Sequence, residues 1–201
     1  MEKLEAGDEA LNKCLSTLSK GELIVYPTDT LYGLGADATI NGAVEKVFAA
    51  KRRPIDKVVS IAVANIIAAE DLVNFTPTAK IIAAKFLPGP LTIILKAKSE
   101  MKFVSKDGKI GIRIPDSDFA LALLKSYNRP IIATSANLSG GLNPMEVSEI
   151  PAEILESVSV VVDQGRTKYS APSTIVDLSG DTIEIVREGA ISIDAIRDAI
   201  K

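Results

Sequence analysis

The residues best placed to do chemistry are basic side chains at the ends of elements: Lys51, Arg53, Lys57, Arg113 and Arg187. Each by itself reads as a solvated surface charge. Arg113 differs because it is set within Ile-Gly-Ile-Arg-Ile-Pro. An arginine among such neighbours is at least partly buried and needs an anion, either a protein carboxylate or a ligand's. If several of these cations converge on folding, a net-negative chain acquires a local cationic pocket. Such a pocket suits phosphate or carboxylate, with arginine supplying bidentate contacts. Ser135-Ala136-Asn137 and Pro172-Ser173-Thr174 stand at strand ends and read equally as turns and as ligand contacts.

The element expected to position these groups is the stretch Pro27-Thr28-Asp29-Thr30-Leu31-Tyr32-Gly33-Leu34-Gly35. It follows Leu23-Ile24-Val25-Tyr26, an apolar, β-branched run that reads as a buried strand ended by Pro27. Gly33 and Gly35 are expected to turn the backbone towards the next helix. Ligands of open α/β sheets bind beyond the carboxyl ends of strands, where this loop lies. Gly33, Gly35 and Ala38 also match the dinucleotide fingerprint, with Asp56 at the ribose position. Six residues separate the strand from Gly33, and Asp29 would face a pyrophosphate, so a nicotinamide cofactor is rejected.

The totals narrow the chemistry. At 201 residues and 47% hydrophobic, the chain can bury a substantial core and is not disordered. It contains no histidine and one cysteine, Cys14, which falls in an apolar helical pattern. Ser-His-Asp and Cys-His hydrolases and ordinary zinc sites are thereby excluded, as is a disulfide within the chain. No P-loop is present, which removes a Walker-type ATPase. A net charge of -3 and 4% aromatics without tryptophan argue against broad nucleic-acid attraction and base stacking. No apolar run reaches membrane-spanning length and no signal peptide opens the chain, so a cytoplasmic location is expected.

Periodicity predicts helices from Asp8 (as N-cap) to about Lys20, from Asn41 (as cap) to Lys51-Arg52-Arg53-Pro54, and from Pro77 over Ala79, Ile82, Ala83 and Phe86. Further helices are predicted over Ser117-Tyr127, over Pro151-Glu156 and after Ser192, the last with Ile193, Ile196 and Ile200 inward. Strands are expected over Val58-Val63, Leu91-Leu95, Ile110-Pro115, Pro130-Thr134, Val158-Val162, Thr174-Leu178 and Thr182-Val186. Leu87-Pro88-Gly89-Pro90 is a rigid turn, and Lys96 to Lys109 is a charged surface excursion. No repeat or linker divides the chain. The expected architecture is one α/β domain over 1–201, with a twisted, open, mixed sheet flanked by helices.

Seven blocks occur in order: P-T-D-T-L-Y-G-L-G, K-R-R-P, P-G-P-L-T-I-I-L, G-I-R-I-P-D, S-A-N-L-S-G, P-S-T-I-V-D and R-E-G. Together they resemble the YrdC-like threonylcarbamoyl-adenylate synthase family over nearly the whole chain, in its short form without an extra C-terminal domain. The resemblance implies a YrdC-like fold with a cationic concave cavity. It also implies formation of threonylcarbamoyl-adenylate and pyrophosphate from L-threonine, bicarbonate and ATP, with Mg²⁺ on the ATP phosphates and no protein metal ligand assigned. A separate tRNA-modifying transferase complex would move the product onto the adenosine beside the anticodon, with weak tRNA binding as a further implied contact and no membrane partner.

By position, the resemblance gives Lys51, Arg53, Ser135 and Asn137 catalytic roles. Arg53, Lys57, Lys109, Ser135, Asn137, Asn143 and Arg187 would serve ATP, and Thr30, Ala62, Arg113, Ala133 and Ser173 would hold threonine. Arg113 would pair the amino acid carboxylate, and Ala133 would act through its backbone. Some relatives carry histidine where Ala62 stands, Lys109 and Asn143 replace the more usual Thr and Ser, and Leu87 replaces a tryptophan. An RNA-binding module of the same fold, or a YciO-like paralogue acting on another carbamoyl-adenylate, are the alternatives the residues leave open.

Overall fold

The structure is a computed structural model and describes residues 1–54 and 59–201. Its strands are β1 (Glu2–Glu5), β2 (Ile24–Tyr26), β3 (Gly33–Gly35), β4 (Ser60–Ala62), β5 (Val73–Asn74) and β6 (Leu91–Ala97), then β7 (Lys109–Arg113), β8 (Ile131–Ser135), β9 (Val160–Asp163), β10 (Thr174–Asp177) and β11 (Glu184–Arg187). Its helices are α1 (Asp8–Ser19), α2 (Asn41–Ala50), α3 (Ile66–Glu70), α4 (Pro77–Phe86), α5 (Asp118–Tyr127), α6 (Ala152–Ser157) and α7 (Ile193–Asp198).

The strands form one mixed sheet in the order β1-β9-β2-β3-β8-β4-β7-β6-β10-β11, with β5 added to β6. Pairing is parallel for β1/β9, β2/β9, β4/β7 and β6/β10, and antiparallel through β2/β3, β3/β8, β4/β8, β6/β7 and β10/β11. Side chains alternate across a strand, and β2 shows the result. Ile24 and Tyr26 join a core with Cys14 and Leu18 of α1 and Phe119, Leu123 and Leu124 of α5. Val25 joins the larger core with Val47 and Phe48 of α2, Ile82 of α4 and Ile196 of α7. Helices therefore flank both faces. Cys14 is fully buried there, and burial pushes its thiol up to about 12.

Several expectations need correction. Gly33 and Gly35 do not turn the chain into a helix; they lie in β3, antiparallel to β2. Their role is close approach, because the Tyr26 ring lies across them. A Cβ on Gly35 would sit 2.8 Å from Tyr26 Cε1, and one on Gly33 3.0 Å from the same atom. Asp8 and Asn41 are the first helical residues, with Gly7 and Ile40 at the cap positions and no side-chain cap at either. Ser117 and Ser192 do cap their helices, accepting from Ala120 and Ala195. Ile196 points inward, but Ile200 is 40% exposed, beyond the end of α7. The sequence reading missed β1, α3 and β5, which are short. β1 is a charged edge strand, a composition that discourages further pairing. Val58 lies outside the described residues.

Candidate active site

The K-R-R-P block is built by the way α2 ends. Arg52 takes the left-handed conformation at φ 50°. Its N–H bonds Ala49 O at 3.0 Å, and Arg53 N–H reaches back to Phe48 O at 2.9 Å. This is the paired bonding of a Schellman motif, here with arginine where glycine is usual. The reversal separates the basic run. Arg52 faces outward, 3.7 Å from Glu153, while Lys51 and Arg53 line a cavity of about 310 Å³.

Lys51 is 2% exposed, and its Nζ donates to Ser135 O at 2.5 Å, Asn137 O at 2.8 Å and Asn137 Oδ1 at 3.0 Å. An ammonium has three N–H donors, so all are engaged. Burial, followed by the charge of Arg53, pulls its pKa down to about 8. The same amide oxygen accepts from Ser135 Oγ at 2.7 Å, while Asn137 Nδ2 donates to Gly141 O at 2.8 Å. Asn143 Oδ1 stands 3.5 Å from that nitrogen. Ser135 to Asn143 thus forms a ledge at the end of β8, latched to the end of α2 by one lysine.

On the adjoining wall, Arg113 Nη2 donates to Asp29 Oδ1 at 2.5 Å and to Thr30 Oγ1 at 2.6 Å. The anion required by this buried arginine is therefore a protein carboxylate, and the Asp29 side chain is 0% exposed. Thr28 Oγ1 donates to Leu31 O at 2.6 Å. The same Thr28 oxygen accepts from the N–H groups of Thr30 (3.2 Å) and Leu31 (3.3 Å) and stands 3.2 Å from Thr30 Oγ1. Asp29 Oδ2 and Arg113 Nε are buried with no hydrogen-bond partner among the described residues. The stretch that follows β9 is pinned to this loop by Thr167 Oγ1 to Thr30 O (2.7 Å) and Tyr169 N–H to Asp29 O (2.9 Å).

The third wall comes from β6, β10 and β11. Arg187 donates through Nε and Nη2 to Ser173 O at 3.1 and 2.8 Å, and through Nη2 to Ser173 Oγ at 3.2 Å. Ser173 Oγ lies 3.0 Å from Thr92 Oγ1. Burial, then repulsion from Arg113, lowers the Arg187 pKa. Thr174 Oγ1 staples the segment after β11 by donating to Ile191 O (2.6 Å) and accepting from Gly189 N–H and Ile191 N–H (both 3.0 Å). Gly189 of the R-E-G block admits no side chain, since a Cβ there would lie 2.2 Å from Pro172 O.

The cavity therefore gathers Lys51, Arg53, Ser135, Asn137, Asn143 and Arg187 with Thr30, Ala62, Arg113, Ala133 and Ser173. No carboxylate appears among its described lining residues. Lys109 does not belong to it and instead pairs Asp177 at 2.9 Å. It stands at the opposite end of β7 from Arg113, four residues away at about 3.3 Å each, or roughly 13 Å along the strand. Lys57 lies outside the described residues, as does Asp56. The sequence reading did not single out Thr92 or Tyr26 as wall residues, nor Asp29 as the partner of Arg113. The only available signal for Asp29 was its place between two threonines in the first block.

The arrangement suits binding and charge neutralisation rather than attack by a protein nucleophile. Residues 16–189 match the family model Sua5/YciO/YrdC, described as "Telomere recombination". A protein of Methanocaldococcus jannaschii named "Putative threonylcarbamoyl-AMP synthase" is 42% identical over 196 residues, covering 96% of this chain and 93% of that protein. "Threonylcarbamoyl-AMP synthase" of Bacillus subtilis is 33% identical over 203 residues, and the match covers 99% of this chain but 59% of that longer protein. Among solved structures, P. abyssi Sua5 complexed with L-threonine superposes with a TM-score of 0.91 at 30% identity, covering 99% of this chain and 60% of that one. With its motif blocks folded around one cavity and this similarity along nearly its whole length, the chain belongs to the Sua5/YciO/YrdC family.

Proposed function

We propose that this chain makes L-threonylcarbamoyl-adenylate from L-threonine, bicarbonate or CO₂, and ATP, releasing pyrophosphate. The observation that carries the reading is the meeting of Lys51, Arg53, Arg113 and Arg187 in one cavity free of carboxylates among its described lining residues. The names of the relatives agree with it. As one domain spanning 1–201, it would act in the cytoplasm and pass its product to a tRNA-modifying transferase. Among the described residues, no helix is long and apolar enough to cross a membrane.

The chemistry needs no histidine. The threonine amine attacks the carbon of CO₂, or of bicarbonate with loss of water, to give a carbamate. A carbamate oxygen then attacks the α-phosphorus, and pyrophosphate leaves with the electrons of the broken P–O bond. Arg113 would hold the amino acid carboxylate, and the remaining acceptor site of Thr30 would take an N–H of the amine. Ala62, Ala133 and Ser173 would complete that end. Arg53, Arg187, Ser135, Asn137 and Asn143 would face the nucleotide, and Lys51 would keep the Ser135–Asn143 ledge in place. Lys57 stays a proposed nucleotide contact. Oriented donors at a developing charge are typically worth about 3–4 kcal/mol each.

The walls do not fit a resident metal. Among the described residues there is no group of three Asp, Glu, His or Cys side chains able to hold one. Mg²⁺ would enter on the triphosphate as part of the substrate.

The test is pyrophosphate release with each component withheld in turn. The expected result is release only with ATP, threonine, bicarbonate and Mg²⁺ together. Release that ignores threonine refutes the reading, and dependence on another amine would point to a YciO-like paralogue. RNA affinity falling steeply with salt, without turnover, would favour an RNA-binding module.

A further inference from the structure

We propose that Asp29 sorts the two anionic substrates, keeping the polyphosphate away from the amino acid end of the cavity. This rests on the reading of the cavity as a site for both a triphosphate and an amino acid carboxylate.

The cations of the wall are not equivalent. The partners of Lys51 are two backbone carbonyls and an amide oxygen, and those of Arg187 are a carbonyl and a hydroxyl. All of these are neutral, so both side chains keep their full charge towards a ligand. Arg113 instead rests on the carboxylate of Asp29. Asp29 does not line the cavity itself; it stands behind Arg113 and lines a separate hollow with Asp116 and Asp118. The pair thus presents N–H donors to the cavity with little net charge.

Coulomb attraction scales with the product of the charges, so cancelling one cation costs a polyphosphate of roughly three to four negative charges several times what it costs a monoanion. A carboxylate loses far less by that cancellation, and it can still take the N–H groups that Asp29 and Thr30 leave, since those two acceptors account only for the pair on Nη2. Thr30 Oγ1 takes the other N–H of the nitrogen that bonds Asp29. Without Asp29, the Arg113 end would be as attractive to phosphate as the Arg187 end beside it. ATP would then obstruct the threonine position.

The test is calorimetric titration of the full chain with L-threonine and with tripolyphosphate, each alone and in the presence of the other. In the wild type both should bind, each changing the other's Kd by less than about threefold. Asp29→Asn keeps an acceptor for Arg113 but removes the charge. It should tighten tripolyphosphate tenfold or more and make it competitive with threonine. Asp29→Ser, which also removes the charge while keeping a hydroxyl acceptor, should tighten tripolyphosphate similarly. It serves if Asp29→Asn fails to fold, as judged by thermal melting. Unchanged tripolyphosphate affinity in the folded variants, with threonine binding still independent, overturns the proposal. If the wild type binds neither probe, the reading of the cavity fails and takes this proposal with it.

Discussion

Replacing Lys51 by methionine should separate function from stability, and the structure sets the size of each effect. The substitution removes the ammonium from the carbonyls of Ser135 and Asn137 and from the Asn137 amide oxygen, of which Ser135 O keeps the Asn137 N–H and the amide oxygen keeps Ser135 Oγ. Losing hydrogen bonds to a charged group costs about 1.5–3 kcal/mol each, or roughly 3–6 kcal/mol in all because two of the acceptors keep another donor. Against this stands the cost of burying the ammonium. A pKa lowered from 10.5 to about 8 corresponds to about 3 kcal/mol. The net loss should be about 0–3 kcal/mol, measurable by guanidinium denaturation. Pyrophosphate release should fall about 100-fold or more, because the ledge carrying Ser135 and Asn137 loses its latch.

The pH dependence gives a second reading of the same residue. Lys51 binds its proton less tightly folded than unfolded, so its burial penalty is present below about 8 and is relieved as pH rises towards 10.5. Wild-type stability should gain over that window relative to Lys51→Met. Activity should move the other way, since a neutral amine has two N–H groups for three acceptors. A stability loss above about 6 kcal/mol, or activity retained within twofold, would refute this account.

Other substitutions probe the remaining walls. Gly35→Ala places a Cβ 2.8 Å from the buried Tyr26 ring, and should cost about 1–3 kcal/mol in thermal or chemical unfolding. Arg113→Ala strands the Asp29 carboxylate; a loss of about 3–5 kcal/mol is expected, partly recovered by adding Asp29→Asn, together with a large rise in the KM for threonine. Thr174→Val removes three hydrogen bonds around Ile191 and Gly189, and should cost about 2–3 kcal/mol and weaken ATP more than threonine in binding titrations.

What could be read from residues alone followed the range of the forces involved. The inward face of α4 was legible because apolar spacing reports burial locally. So was the need of Arg113 for an anion, since its strand neighbours demand it. That the anion is Asp29, 84 positions earlier, depends on β4 and β7 lying beside the β3/β8 pair, which no local pattern reveals. Gly33 and Gly35 misled for a related reason: glycine signals turns more often than a ring packed flat on a strand, and the ring belongs to the neighbouring strand. Lys109 shares a sheet face with Arg113, so only the length of β7 separates it from the site. The short elements α3 and β5 have too few residues for any period to emerge.

The order of strands across the sheet has a consequence for the chain while it is being made. The cavity lining begins with Tyr26 and ends with Arg187, and β10 docks directly against β6, synthesised some eighty residues before it. A ribosome-bound intermediate can carry most of the binding groups and still have no closed receptacle for a nucleotide. A chain truncated between β9 and β11 would lack Arg187, and ATP should give it no stabilisation in thermal melting.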